Sequence, residues 1–169
     1  MMKIGTDQLR TDTENRFHFS GTQEALGLQG VDTPLSNLDI KVHINEADHG
    51  YYLTGTLTGT AALVCHRCSA DFDYQLDVAL QSLIVTDQSQ EFQGEDDVIM
   101  VPVQSREIDI TKLVSDSILL DIPYKVLCQE DCKGLCAQCG TNLNEATCDC
   151  SQDAVDPRWA RLQELNFEE

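Results

Sequence analysis

Positive charge is what this sequence has least of. Eleven Lys and Arg residues face 29 Asp and Glu, for a formal net charge of −18 at pH 7. Phosphate backbones are gripped mainly by Lys and Arg, so high-affinity nucleic-acid binding is disfavoured and a basic protein partner fits the field better. Long apolar runs are missing too. No stretch approaches the about 20 residues a membrane helix needs, and the start, MMKIGTDQLRTDTENRF, lacks the apolar run of a signal peptide. The expectation is a cytoplasmic protein that does not engage membranes. Gly-rich phosphate loops, HExxH and GxSxG are absent. The acidic residues are too scattered to pick out a carboxylate pair, so no catalytic residue is assigned and no enzymatic function is expected.

Cysteine is present but not at disulfide-scaffold density: eight in 169 residues, against about 8–10% in such scaffolds. In a reducing compartment, clustered cysteines read as metal ligands or redox groups. Six of the eight fall in CQEDCKGLCAQCGTNLNEATCDC, residues 128–150, and the other two in CHRC, Cys65 and Cys68. In Cys136-Ala-Gln-Cys139-Gly140, two intervening residues let both sulfurs converge on one ion, and the glycine permits the positive φ that turns N–H groups toward them. Cys148 and Cys150 can add two ligands from one extended pair. The four make a first candidate site for a structural zinc ion, closed and tetrahedral. Cys65, Cys68, Cys128 and Cys132 are left as the simplest second site. An allocation of Cys65 and Cys68 with Cys136 and Cys139 uses the same thiols, and His66 is an alternative ligand. A thioredoxin-type reading needs CxxC to open a helix in a βαβ pattern, whereas strand-like sequence follows CHRC.

Alternation with period two predicts strands over 16–20, 38–46, 51–65 and 72–85, and a short one over 98–103 that Pro102 pushes to an edge or an end. Residues 86–97 read as an acidic loop. The period changes over 108–123, where Ile110, Leu113, Val114 and Ile118 follow helical spacing, Asp109 or Thr111 can cap, and Pro123 stops. A last helix is predicted over 155–165, with Asp156 as N-cap, Pro157 at the first helical position, and Trp159, Leu162 and Leu165 on one face. The fold class is α+β: an antiparallel sheet with a helix, a Cys-rich knuckle-like loop and a final short helix. Residues 1–35 show little pattern, 36–125 carry the sheet and helix, and 126–169 the Cys-rich segment and last helix, all in one compact domain.

GTLTGTAALVCHRC (55–68), IDITKLVSDSILLDIP (108–123), CQEDCKGLCAQCGTNLN (128–144), the pair Cys148 and Cys150, and DPRWARLQEL (156–165) together resemble the YceD family, the large ribosomal RNA subunit accumulation proteins. The resemblance covers about residues 35–166. It implies a bacterial or plastid-type cytoplasmic protein needed for accumulation of large-subunit rRNA, and no enzyme. Combined with the charge, it points to contact with a basic ribosomal protein or a large-subunit precursor. The alternatives are a direct RNA-binding zinc module, in which Arg67 touches RNA, and a thiol oxidoreductase. The resemblance also implies turn, cap and packing roles for Arg67, Gly134, Leu135, Gly140, Asn142, Leu143 and Asn144, as for Asp156, Pro157 and Trp159.

Overall fold

The computed structural model describes residues 1–10, 14–47, 50–85, 98–101 and 105–150. The expected last helix, with Asp156, Pro157 and Trp159, lies outside the described residues, as do the acidic loop 86–97 and Pro102.

Three long strands form the body: β3 (Leu35–Ala47), β4 (Gly50–Val64) and β5 (Asp71–Val85). Before them come β1 (Lys3–Gly5), β2 (Asn15–Gly21) and a one-turn helix, α1 (Gln23–Leu26). After them come β6 (Val98–Met100), β7 (Glu107–Asp109) and α2 (Thr111–Asp121). The main sheet has the order β2-β3-β4-β5-β6, and β1 pairs with β7 in a separate two-stranded ribbon. The pairings β2·β3, β3·β4 and β4·β5 are antiparallel, as the period-two patterning requires. β6 differs from the expected antiparallel arrangement: it lies parallel to β5 over Leu83–Val85. A parallel pair cannot be closed by a hairpin, and a three-residue strand carries no alternation from which its direction could be read.

Alternation decides the faces. Leu38, Ile40, Val42 and Ile44 of β3 are buried; Ile40 registers with Leu57 of β4 and Ile44 with Leu53, and those in turn with Val78 and Ser82 of β5, also buried. The other face carries Thr54, Thr56, Thr58 and Thr60. Gly55 and Gly59 lie on the buried face because the sheet is close there: a Cβ on Gly55 would stand 2.4 Å from the Lys41 carbonyl oxygen, and one on Gly59 2.8 Å from Leu38. Val114 and Ile118 of α2 and Ile4 and Ile108 of the β1–β7 ribbon join the same core, fully buried. Burying a side chain of this size contributes about 1.5–3 kcal/mol. The helix N-cap is Ile110, without a side-chain cap bond, rather than the expected Asp109 or Thr111; Asp109, one residue earlier, accepts the Thr111 N–H at 2.9 Å.

Residues 1–35, where the sequence shows little pattern, supply the edge strand β2 and bury Met2, Ile4, Leu26, Leu28 and Val31. Their apolar positions are dispersed over elements too short for periodicity to show.

Candidate metal centre

CHRC is the hairpin loop between β4 and β5. The Cys65 N–H donates to the Ala70 carbonyl at 2.9 Å, closing the strand pair, and the Ser69 N–H donates to the Cys65 carbonyl at 2.9 Å. Ser69 sits at φ 55°. The downstream knuckle repeats this geometry. The Gly140 N–H donates to the Cys136 carbonyl at 2.9 Å, with Gly140 at φ 73°. Cys65-x-x-Cys68-Ser69 and Cys136-x-x-Cys139-Gly140 are thus two copies of one turn. The glycine signal marked only the second, because serine rarely adopts a positive φ.

After α2 the chain returns over this hairpin. The His66 N–H donates to the Val126 carbonyl at 2.9 Å. The Arg67 guanidinium donates to the Cys132 carbonyl at 2.6 Å. Gly134, at φ 77°, packs so closely on Arg67 that a Cβ there would lie 3.0 Å from the Arg67 carbonyl oxygen. These contacts bring the four sulfurs of Cys65, Cys68, Cys128 and Cys132 within 4.8 Å of one another. Cys136, Cys139, Cys148 and Cys150 form a second group within the same limit. Cys65 and Cys68 do not meet Cys136 and Cys139, and the His66 ring belongs to neither group. The first group is enclosed, with Cys65, Cys68 and Cys132 buried. In the second only Cys136 is buried, and Cys139 is exposed.

Distances test whether a metal fits. Cys65 Sγ lies 3.8 Å from Cys132 Sγ, and Cys68 Sγ lies 3.7 Å from Cys128 Sγ. Four thiolates placed tetrahedrally at about 2.3 Å from one ion stand about 3.8 Å apart. A disulfide would need about 2.05 Å. Both groups could hold a metal ion, and these two separations in the first match the edge of a four-sulfur tetrahedron.

The electrostatics point the same way. Burial pushes the Cys65 thiol up, but N–H groups of Cys128, Arg67 and Cys68 outweigh it and hold the thiol at about 6. Cys128 is pushed up to about 12, first by burial and then by sharing hydrogen bonds with Cys132, Cys68 and Cys65. In the second group the Thr141 hydroxyl and N–H hold Cys139 at about 6, while sharing with Cys139, then burial, push Cys150 up to about 12. Thiolates this close cannot all ionise without a cation between them. In each group thiols held low stand beside thiols pushed up, an arrangement a divalent ion would relieve.

Asn142 and Asn144, for which the resemblance implied turn roles, carry more than a turn. The Asn142 Oδ1 accepts from the Asn144 N–H at 3.1 Å and from its side-chain amide at 2.9 Å. The Asn144 amide also donates to Cys132 Sγ at 3.4 Å, and its Oδ1 accepts the Lys133 N–H at 2.8 Å. Asn144 therefore ties the loop that closes the second group to a sulfur of the first.

A mostly-strand α+β chain with two four-cysteine groups, one of them built on a sheet hairpin, is the class these features define. A family model described as "Large ribosomal RNA subunit accumulation protein YceD" matches residues 53–166. The chain belongs to that family. It is 32% identical over 168 residues to the uncharacterized protein YlbN of Bacillus subtilis, covering 97% of this chain and 96% of that one. It is 29% identical over 128 residues to an uncharacterized protein of Mycobacterium tuberculosis, covering 76% of this chain. This chain spans 61% of the length of that mycobacterial relative. It is 37% identical over 70 residues to "Large ribosomal RNA subunit accumulation protein YCED homolog 1, chloroplastic" of Arabidopsis thaliana, covering 41% of this chain and 22% of that one. No solved structure matches.

Proposed function

We propose that this protein is a non-catalytic ribosome-biogenesis factor. It supports accumulation of large-subunit rRNA by contacting a basic ribosomal protein or an assembly intermediate. Membership of the family over residues 53–166 is the observation that carries this reading. The charge of −18 sharpens it, favouring a protein contact over direct RNA contact. Arg67, the basic residue within CHRC, spends its guanidinium on the Cys132 carbonyl, which leaves the RNA-binding alternative without its candidate. A thiol-redox role is disfavoured because each CxxC meets another cysteine pair and neither opens a helix.

The eight cysteines hold two structural zinc ions in this reading: Cys136, Cys139, Cys148 and Cys150 at one, Cys65, Cys68, Cys128 and Cys132 at the other. Four thiolates per ion leave no open coordination position, so the ions stabilise rather than catalyse. The set of Cys65, Cys68, Cys128 and Cys132 joins the sheet hairpin to the Cys-rich segment, two sulfurs from each, which supports folding as one domain.

Sucrose-gradient sedimentation of cell extract with the tagged protein tests the function. Co-sedimentation with large-subunit precursors, lost at high salt, is expected. A protein found only at the top of the gradient in growing cells would sink the reading.

A further inference from the structure

Asn144 stands where the two cysteine groups meet. In sequence it lies between Cys139 and Cys148, two members of the outer group of Cys136, Cys139, Cys148 and Cys150. In space its side chain reaches the enclosed group of Cys65, Cys68, Cys128 and Cys132, donating to Cys132 Sγ at 3.4 Å. A primary amide has two N–H donors and an oxygen that accepts twice, and Asn144 uses all of them. Its Oδ1 accepts the Lys133 N–H at 2.8 Å and the Gln129 side-chain amide at 3.5 Å. Its Nδ2 donates to the Asn142 Oδ1 at 2.9 Å as well as to the sulfur.

The direction of these bonds is forced. A backbone N–H only donates. The Lys133 N–H therefore fixes the Asn144 oxygen on its own side. The Asn144 N–H, 3.1 Å from the Asn142 Oδ1, fixes the Asn142 oxygen in the same way. What is left of the Asn144 amide is an N–H aimed at Cys132. A hydrogen bond to an ionised acceptor is about twice as strong as one to a neutral acceptor, and a metal ligand is a thiolate. The Asn144 donor thus favours the state of Cys132 that an ion requires.

The loop that delivers this donor is organised from the outer side. The Cys136 N–H donates to the Thr141 carbonyl at 2.8 Å, and the Leu143 N–H to the Gly134 carbonyl at 2.9 Å. The Glu145 and Ala146 N–H groups donate to the Asn142 carbonyl at 3.1 and 3.0 Å, and the Asn142 side-chain amide to the Glu145 carboxylate at 2.7 Å. Residues 144–147 are exposed. A segment held by exposed hydrogen bonds opens easily. Joining Cys139 to Cys148 through one ion would close it and restrict its freedom.

We infer that Asn144 couples the two groups into one cooperative metal centre. An ion in the outer group would fix the 140–147 loop with the Asn144 amide on Cys132, and so raise the affinity of the enclosed group. By linkage, an ion in the enclosed group raises the affinity of the outer one by the same factor. Asn144 is a positioning residue: it touches a ligand sulfur and not the ion. Partners of this kind are worth about 10–100-fold in metal affinity. The inference rests on the two-ion reading of the cysteines and is independent of the ribosomal one.

Zinc competition against a chromophoric chelator, on the full chain, measures the affinity of the enclosed group. A cycle of four proteins isolates the coupling: the wild type, Asn144→Ala, Cys148→Ser with Cys150→Ser to empty the outer group, and the combination. Emptying the outer group should weaken the enclosed one by about tenfold or more in the wild-type background. In Asn144→Ala the enclosed group should already be weakened, and emptying the outer group should add nothing. Asn144→Asp keeps the acceptor for the Lys133 N–H and loses the donor, so it should lose at least as much as Asn144→Ala. Equal losses in both backgrounds would put the coupling in the short backbone link from Cys132 to Cys136 and overturn the inference. No loss in either background, or wild-type affinity in Asn144→Asp, would overturn it too. Cadmium-113 NMR gives a signature that loop stability alone does not produce. In the cadmium-loaded wild type, the ion of the enclosed group should show scalar coupling through the sulfur to an Asn144 side-chain amide proton, lost when the outer group is emptied. Its absence from the fully loaded protein would overturn the contact. Two ions bound independently would sink the inference and leave the metal reading standing. A reduced chain that takes up no ion would sink both.

Discussion

The Sγ atoms of Cys65 and Cys132 lie 3.8 Å apart, although 67 residues separate them. One belongs to the β4–β5 hairpin and the other to the segment that follows α2. An ion shared by them would close a long loop and so remove conformational freedom from the unfolded chain. Cys132→Ser should therefore lower the metal content from two ions per chain to one and cost more than about 4 kcal/mol, outside the usual range for a point substitution. Elemental analysis and chemical denaturation read both. Iron in place of zinc, or unchanged stability, would overturn the assignment.

The two cysteine groups differ in enclosure. Cys65 and Cys132 are buried, whereas Cys139 is exposed. A chelator should strip the group of Cys136, Cys139, Cys148 and Cys150 first, in two kinetic phases of one ion each. A colorimetric zinc indicator follows the release, and Cys139→Ser should remove the fast phase. A single phase of two ions would show that the groups open together.

Metal affinity should depend on pH with a definite sign. Cys65 and Cys139, at about 6, are ionised at neutral pH, while Cys128 and Cys150, at about 12, are protonated. Binding must drive those protons off, so affinity rises with pH by about tenfold per unit for each proton released. Calorimetry in buffers of different ionisation enthalpy counts the protons. An affinity flat between about pH 6.5 and 8.5 would contradict the four-thiolate site.

Ser69 holds at φ 55° the position that Gly140 holds at φ 73°. A side chain in the left-handed region costs about 1 kcal/mol. Ser69→Gly should therefore raise stability by up to about 1 kcal/mol and Gly140→Ala lower it by a similar amount, with metal content unchanged. Gly134→Ala should cost more, because its Cβ would also press on the Arg67 backbone. Thermal denaturation of the three variants orders them.

Much of this was legible in the sequence. Alternation in Leu53–Leu63 and Phe72–Leu80 marks strands with one buried face, and the helical spacing of Ile110, Val114 and Ile118 marks α2. Both are local periodicities that follow directly from backbone geometry. The knuckle at Cys136–Gly140 was legible because a glycine stands where φ is positive. Its twin at Cys65–Ser69 was obscured, since serine gives no such sign. The parallel β6 and the buried start of the chain left no periodic trace in elements of three residues.

By itself the sequence determined the long strands, the second helix, the acidity and the density of cysteines, because each is a property of neighbouring residues. Only the tertiary structure decided which thiols meet. Cys65 and Cys68 reach Cys128 and Cys132, not Cys136 and Cys139, because α2 packs on the sheet and returns the chain across the β4–β5 hairpin, where Gly134 fits against Arg67. Strand neighbours and sulfur neighbours are both long-range contacts, and local spacing does not encode the path the chain takes between them.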